Sequence, residues 1–272
     1  MNTKFTRDGV RKVAVVGAGV MGEAIISTLI NSKYQKDVIS FVEKRDDRAH
    51  EIESKYGISR ASLSEVATSN LIFLVTKPQD LESVVEALAK DLLPSSLLVS
   101  LAAGKKTSVL EKLLKSENPV IRVMPNTPLL IGEGISAISA GKHAKEEHLL
   151  VVTELFQSSG ATILIDEVLQ DAVTATSGSG PAYFFLFVES MIEAGMKLGL
   201  KQEDAAALTI STIKGAAAML QKSGKSPATL RENVTSPKGT TAAALAVFDE
   251  SGLREIVAAA MRAARDRSVE LG

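Results

Sequence analysis

The segment from Val13 to Asn31 constrains this chain more than any other. Four small or β-branched apolar residues, Val13–Val16, run directly into Gly17-Ala18-Gly19-Val20-Met21-Gly22, and the helical spacing of Met21–Asn31 follows at once. A G-x-G-x-x-G turn between a strand and a helix is the context in which this motif binds a dinucleotide. Gly17 permits the tight turn, Gly19 lets the backbone approach a pyrophosphate, and Gly22 lets the helix pack close to the strand. The helix start presents unpaired N–H groups and the positive end of a dipole to the phosphates.

The alternation of strand and helix continues. Val38–Val42, Leu71–Val75, Leu97–Leu101, Val120–Met124, the region around Ile135–Ala140 and Ala161–Ile165 read as strands. Asp46–Tyr56, Asp80–Lys90 and Thr107–Leu114 read as helices between them. This pattern predicts an α/β domain, a Rossmann-type doubly wound and mostly parallel sheet, over residues 1–166. From Glu167 the strand-like runs stop. Alanine, leucine and methionine recur at helical spacing through Ala182–Leu198, Gln202–Lys222 and Gly252–Leu271, which predicts an all-α domain over residues 167–272. Tyr183–Met196 is apolar on every side, so it must be covered on every side. A domain this small has little interior for several such helices. A symmetric homodimer is therefore expected to cover them; packing against the sheet domain is the alternative.

Composition narrows the function. The chain has 31 basic and 32 acidic residues, a formal net charge of −1 and no cysteine. Such balance argues against nucleic-acid or membrane-surface partners that work through bulk charge. The lack of cysteine removes disulfides, thiolate metal sites and a cysteine nucleophile, and suits a cytoplasmic protein. Met1–Arg11 is polar and lacks the apolar core of a signal peptide. The apolar run Pro181–Val188 ends at Glu189, short of the roughly 20 residues of a membrane span. His143 and His148 form only a loose pair, read as helix-surface histidines rather than metal ligands.

Candidate cofactor contacts extend beyond the turn. Glu43 ends the second strand about 20 residues past the last glycine, where an acidic side chain hydrogen-bonds the adenine-side ribose of NAD. Lys44 and Arg45 follow, and cations there hold the additional phosphate of NADP. These cations favour NADP(H) over NAD(H), with Glu43 arguing the other way. Thr76-Lys77-Pro78 and Ala102-Ala103-Gly104 stand at carboxyl ends of strands, where open α/β sheets bind ligands.

Three further segments carry chemistry: Met124-Pro125-Asn126-Thr127-Pro128, with Asn126 on the cofactor side; Ser177-Gly178-Ser179-Gly180-Pro181-Ala182-Tyr183; and Asn233-Val234-Thr235-Ser236-Pro237-Lys238-Gly239-Thr240-Thr241. In the last, the N–H groups opening the helix Thr240–Phe248 and the hydroxyls of Ser236, Thr240 and Thr241 would form a pocket for a carboxylate. The plain alternative is an N-cap threonine before an alanine-rich helix.

With the turn at Gly17–Gly22, Lys77-Pro78 and Asp171–Tyr183, these segments resemble the pyrroline-5-carboxylate reductase family over nearly the whole chain. The resemblance implies a cofactor domain followed by a helical dimerisation domain, larger rings of dimers, and substrate bound at a dimer interface. It implies that the loop Ser236–Thr241, with Lys238 and Gly239 inside it, holds the substrate carboxylate, and that Thr241 hydrogen-bonds the ring nitrogen. Asn233 is implied near the cofactor, Ser62 near its adenosine half, and Glu167 on the substrate side. The family usually has glycine where Lys238 stands, and glycine adopts a positive φ that lysine resists. Either the turn does not need that conformation or the loop is reshaped.

The implied reaction is hydride transfer from the nicotinamide C4 to the carbon of a cyclic C=N bond. A protonated imine is already electrophilic, so a pocket of hydroxyls without a strong acid suffices, and catalysis rests on alignment. Alcohol oxidation, as in the 3-hydroxyacid dehydrogenase relatives, would need a lysine base on the helix after the serine-glycine loop; Tyr183–Glu193 has none, and the first is Lys197. Reduction of another cyclic imine and a non-catalytic dinucleotide sensor remain as alternatives. A sensor would have no need of the Ser236–Thr241 pocket.

Overall fold

The computed structural model describes Thr6 and residues 9–272. The expectation that the chain opens on a polar segment rather than a signal peptide lies largely outside the described residues.

β1 (Val13–Val16) leads through the glycine turn into α1 (Val20–Asn31). Then come β2 (Ile39–Val42), α2 (Asp46–Tyr56), β3 (Ser59–Arg60), α3 (Leu63–Val66), β4 (Leu71–Leu74), α4 (Pro78–Leu88), β5 (Leu97–Ser100), α5 (Thr107–Leu113) and β6 (Val120–Met124). β7 (Gly134–Ala140), α6 (Glu146–Gln157) and β8 (Gly160–Leu164) complete the sheet. Its order is β3-β2-β1-β4-β5-β6-β7-β8, parallel throughout except that β7 runs antiparallel to β6. The β6–β7 link is short and carries only a 3₁₀ turn, Thr127–Ile131. A link of that length has no room for a helical crossover and returns the chain antiparallel. The order 3-2-1-4-5-6 is that of a doubly wound dinucleotide-binding sheet, as expected.

Both faces of the sheet are covered, so its strands are buried at consecutive positions instead of alternating with solvent. Val13, Val15, Phe41, Phe73 and Val99 pack under Ile25, Ile26 and Leu29 of α1 and Val152 and Phe156 of α6. Ala14, Val16, Ile72, Leu74 and Leu98 pack under Leu81, Val85 and Leu88 of α4 and Leu110 of α5. Each large side chain removed from water here contributes about 1.5–3 kcal/mol.

α6 and the short β3 and α3 are additions to the expected series. His148, read as a surface residue, is buried, and its Nδ1 accepts from the N–H of Lys145 at 2.9 Å at the start of α6. The ring satisfies one of the helix's orphan donors, which the spacing of two histidines does not reveal.

The helical part consists of α7 (Gln170–Val173), a π-turn Thr174–Gly178, α8 (Gly180–Lys197), α9 (Gln202–Lys222), α10 (Pro227–Asn233), α11 (Thr240–Glu250) and α12 (Leu253–Leu271). By packing, the chain divides into two units: one runs to Ser179 and includes Ala264–Gly272, the other is Gly180–Ala263. This division falls later than the expected one at 166/167, and the chain's last turns join the first unit. A polar cluster around one buried cation contributes to this. Arg122 of β6 is 2 % exposed and lies 3.3 Å from Asp171 and 3.9 Å from Glu167. Asp171 also accepts from the Ser268 hydroxyl at 2.7 Å, and Glu167 accepts from the N–H and hydroxyl of Thr107 at 2.6 and 2.8 Å. The sheet thus holds residues 167–171 and the end of α12 through polar bonds that hydrophobic periodicity cannot signal.

In the second unit, α8 exposes Phe184, Phe185, Leu186 and Phe187, each more than 40 % accessible. No helix among the described residues is long and apolar enough to cross a membrane.

Arg122→Ala leaves two carboxylates without their buried partner and is expected to cost about 3 kcal/mol or more. Urea unfolding followed by circular dichroism measures it; an unchanged midpoint would show the cluster to be incidental.

Candidate active site

The turn after β1 works because side chains are missing from it. A Cβ on Gly22 would stand 1.9 Å from the Gly17 carbonyl oxygen, and one on Gly17, whose φ is +99°, would stand 2.7 Å from the Val75 oxygen. A Cβ on Gly19 would meet nothing within 4 Å, so this residue faces open space. Gly19 is the N-cap of α1 and no side chain caps it. The N–H groups of Val20, Met21 and Gly22 therefore have no acceptor within the helix. Val20 is exposed.

An open cleft of about 540 Å³ lies beside this turn, at the carboxyl ends of β1, β2 and β4. β1 is the strand at which the chain order reverses, the usual ligand site of such sheets. The cleft brings together Gly17, Gly19, Glu43, Lys44, Arg45, Thr76 and Lys77, all named from sequence. Its wall also contains Leu63, Gln79 and Asp80, which carry no motif. The Thr76 hydroxyl is buried without a protein partner among the described residues. An orphaned hydroxyl, uncapped helix amides and a glycine facing empty space fit a phosphate-bearing dinucleotide.

The electrostatics of the far wall differ from the sequence reading. Glu43 does not present a free carboxylate. One oxygen accepts from the Ala18 N–H at 3.2 Å and the other from the Arg45 N–H at 3.0 Å. Lys44 and Arg45 are exposed. Arg60 of β3 adds a cation that no motif indicates; it donates to the Glu43 carbonyl at 2.7 Å and pairs with Asp46 at 2.6 Å. Behind the turn, Glu23 of α1 accepts from Arg48, from Lys55 at 2.7 Å and from the Tyr56 hydroxyl at 2.9 Å. Burial pushes the Glu23 carboxyl up, but these three donors outweigh it and draw its pKa from 4.5 to about 2.

The remaining candidates have these places. Pro78 is the first residue of α4, with Lys77 as N-cap. Ser62 caps α3 in a capping box with Glu65 and neighbours the cleft residue Leu63. Ala102 and Ala103 follow β5 and are not on this cleft. The Asn126 side-chain oxygen accepts from the Ile135 N–H at 3.0 Å, bracing the β6–β7 link. Both oxygens of Glu167 are taken by Thr107.

In the second unit, Asn233 ends α10 and the loop to α11 carries the rest. The cap of α11 is Gly239, not a threonine, and no side chain satisfies it. The first-turn N–H groups of Thr240, Thr241 and Ala242 thus lack helical acceptors, against the plain N-cap explanation. Lys238 has φ +59°. Lysine here takes the left-handed conformation that glycine adopts freely, at a cost of about 1–2 kcal/mol. The Gly239 N–H then closes on the Ser236 carbonyl at 3.0 Å.

Residues 167–271 match the model described as pyrroline-5-carboxylate reductase dimerisation, and residues 12–104 match NADP oxidoreductase, coenzyme F420-dependent. A pyrroline-5-carboxylate reductase of Corynebacterium melassecola is 38 % identical over 96 % of this chain and 98 % of its own length. That of Pseudomonas aeruginosa is 39 % identical, covering 96 % of both. The chain belongs to the pyrroline-5-carboxylate reductase family. The Plasmodium falciparum pyrroline carboxylate reductase, crystallised with NADP bound, superposes with a TM-score of 0.89 at 32 % identity, over 97 % of this chain and 98 % of that one. The expected class, a nicotinamide-dependent oxidoreductase, is that of the family. The dimerisation match makes the helical part a self-association region, in keeping with its exposed phenylalanines.

A carboxylate whose pKa is lower folded than unfolded stabilises the fold fully above its unfolded value, and the gain disappears as pH falls through the folded value. The Glu23 contribution should therefore be complete above about pH 4.5 and lost towards pH 2. Urea melts of the parent chain and of Glu23→Gln should differ at pH 6 and converge on acidification; a gap that stays constant with pH would remove the assigned role.

Proposed function

We propose that the chain reduces 1-pyrroline-5-carboxylate to L-proline, the last step of proline biosynthesis, with NADP(H) in preference to NAD(H). Full-length similarity to curated reductases carries the reaction. The cofactor preference is supported by the cleft wall: Glu43 is engaged by the Ala18 and Arg45 N–H groups, while Lys44 and Arg45 stand exposed. An engaged carboxylate is less able to select the ribose hydroxyls of NAD, and exposed cations suit the extra phosphate of NADP.

In this reading Gly17–Gly22, Ser62, Thr76, Lys77, Pro78, Ala102, Ala103, Asn126 and Asn233 serve the dinucleotide. When bound, it supplies the hydride. Ser236, Lys238, Gly239, Thr240 and Thr241 hold the substrate carboxylate, and the Thr241 hydroxyl orients the ring nitrogen. The uncapped start of α11 supports this, since its amides can accept an anion without an arginine. Glu167 contributes on the substrate side by holding Thr107. The protein needs no strong acid, because the iminium is already electrophilic. The chain works as a cytoplasmic homodimer, with rings of dimers as a larger form, and has no nucleic-acid or membrane partner. Residues 1–166 form the cofactor domain and residues 167–272 the dimerisation and substrate domain.

The deciding experiment follows the near-ultraviolet absorbance of NADPH and NADH in parallel with racemic pyrroline-5-carboxylate. Faster oxidation of NADPH is expected; folded protein that binds dinucleotide but oxidises neither would sink the proposal. Thr241→Ala should lower kcat about a hundredfold with dinucleotide affinity unchanged. Equal loss of dinucleotide binding would remove the assigned role.

A further inference from the structure

We propose that Arg48 is a positioning residue for the phosphate-binding turn, holding the Ala18 carbonyl so that the Gly19 N–H is aimed at the dinucleotide. This rests on the reading that a dinucleotide occupies the cleft beside Gly17 and Gly19.

Two consecutive peptide groups make up the turn, and each is held at a polar end. In the Gly17–Ala18 peptide, the N–H donates to Glu43 at 3.2 Å. Its carbonyl lies in the notch left by the missing side chain of Gly22. In the Ala18–Gly19 peptide, the carbonyl accepts from Arg48 Nε at 2.8 Å. No peptide among the described residues is cis, and in a planar trans peptide the N–H points opposite to the C=O. Pulling the Ala18 carbonyl back toward α2 therefore turns the Gly19 N–H the other way. Gly19 borders the cleft and faces open space. Without Arg48, that peptide would be free to flip and present a carbonyl oxygen to a phosphate, which repels it.

Arg48 is built for this work rather than for binding an anion. All three nitrogens of its guanidinium are engaged: Nε with Ala18, one Nη with Glu23, the other with Glu51 at 2.6 Å. The side chain is only 12 % exposed, and its charge is balanced by those two carboxylates. Glu23 is in turn fixed by Lys55 and Tyr56. The rigid fork of arginine reaches three acceptors at once, which lysine cannot do.

The test compares the parent chain with Arg48→Ala, Arg48→Lys and Lys55→Ala. NADPH affinity is measured by calorimetry, and kcat and both KM values by steady-state kinetics. Lys55 belongs to the same network but is not bonded to the turn. Arg48→Ala should raise Kd and KM for NADPH about ten- to a hundredfold, the loss of one hydrogen bond to a charged group. Its kcat at saturating NADPH and its KM for the pyrroline carboxylate should be unchanged. Arg48→Lys should weaken NADPH binding less, and Lys55→Ala should not weaken it. Native NADPH affinity in Arg48→Ala, or an equal loss in Lys55→Ala, overturns the proposal. If Arg48→Ala does not fold, Arg48→Lys decides: weakened binding upholds it and native affinity overturns it. A parent chain that binds neither NADPH nor NADH would instead refute the cofactor reading, and this proposal with it.

Discussion

The close approach of α1 to β1 is the contact on which the first unit depends. It exists because Gly22 has no side chain where the Gly17 carbonyl lies, and because Gly17 takes a φ of +99° beside the Val75 oxygen. Packed this tightly, the helix directs its uncapped first turn toward the carboxyl ends of β1 and β4, where strand order reverses. The same approach sets Ile25, Ile26 and Leu29 on the sheet. One steric allowance therefore serves both the hydrophobic core and the placing of the uncapped helix start beside the cleft.

Around this contact the protein uses charge for placement. Glu43 and Arg48 are both charged residues near a cleft suited to phosphates, yet each hydrogen-bonds the backbone of Ala18, Glu43 accepting from its N–H and Arg48 donating to its carbonyl. Arg122, Glu167 and Asp171 do comparable work elsewhere, tying β6 to α5, α7 and the end of α12. Such partly buried ions contribute little as isolated pairs, but removing one member leaves its partners desolvated and unpaired. Exposed cations remain on the cleft wall, at Lys44 and Arg45. The second unit keeps apolar side chains on the outside of α8, as a helix destined for another chain's surface must.

Much of this was legible in the sequence. The strand–turn–helix context identified the glycine turn and its cleft, and the change in texture near Glu167 identified the helical part, where the dimerisation match also begins. Most of what escaped notice shares one cause. Arg48, Arg60 and Arg122 act through partners distant along the chain, and no local period encodes them. His148 acts locally, on the Lys145 N–H, but a capping ring leaves no periodic signal. Lys238 escaped for the opposite reason. Its departure from the family's glycine was visible, but only the backbone reveals that lysine accepts φ +59° there.

The sequence by itself determined the order of elements, the glycines that let α1 close on β1, the family and the class of chemistry, because these rest on local periodicity and on side chains that are absent. Only the tertiary structure decided that Glu43 grips the turn, that Arg48 stands behind it, and that residues 167–179 and the end of α12 pack with the first unit. These are contacts between residues far apart in the chain, and their geometry exists only once the sheet has formed.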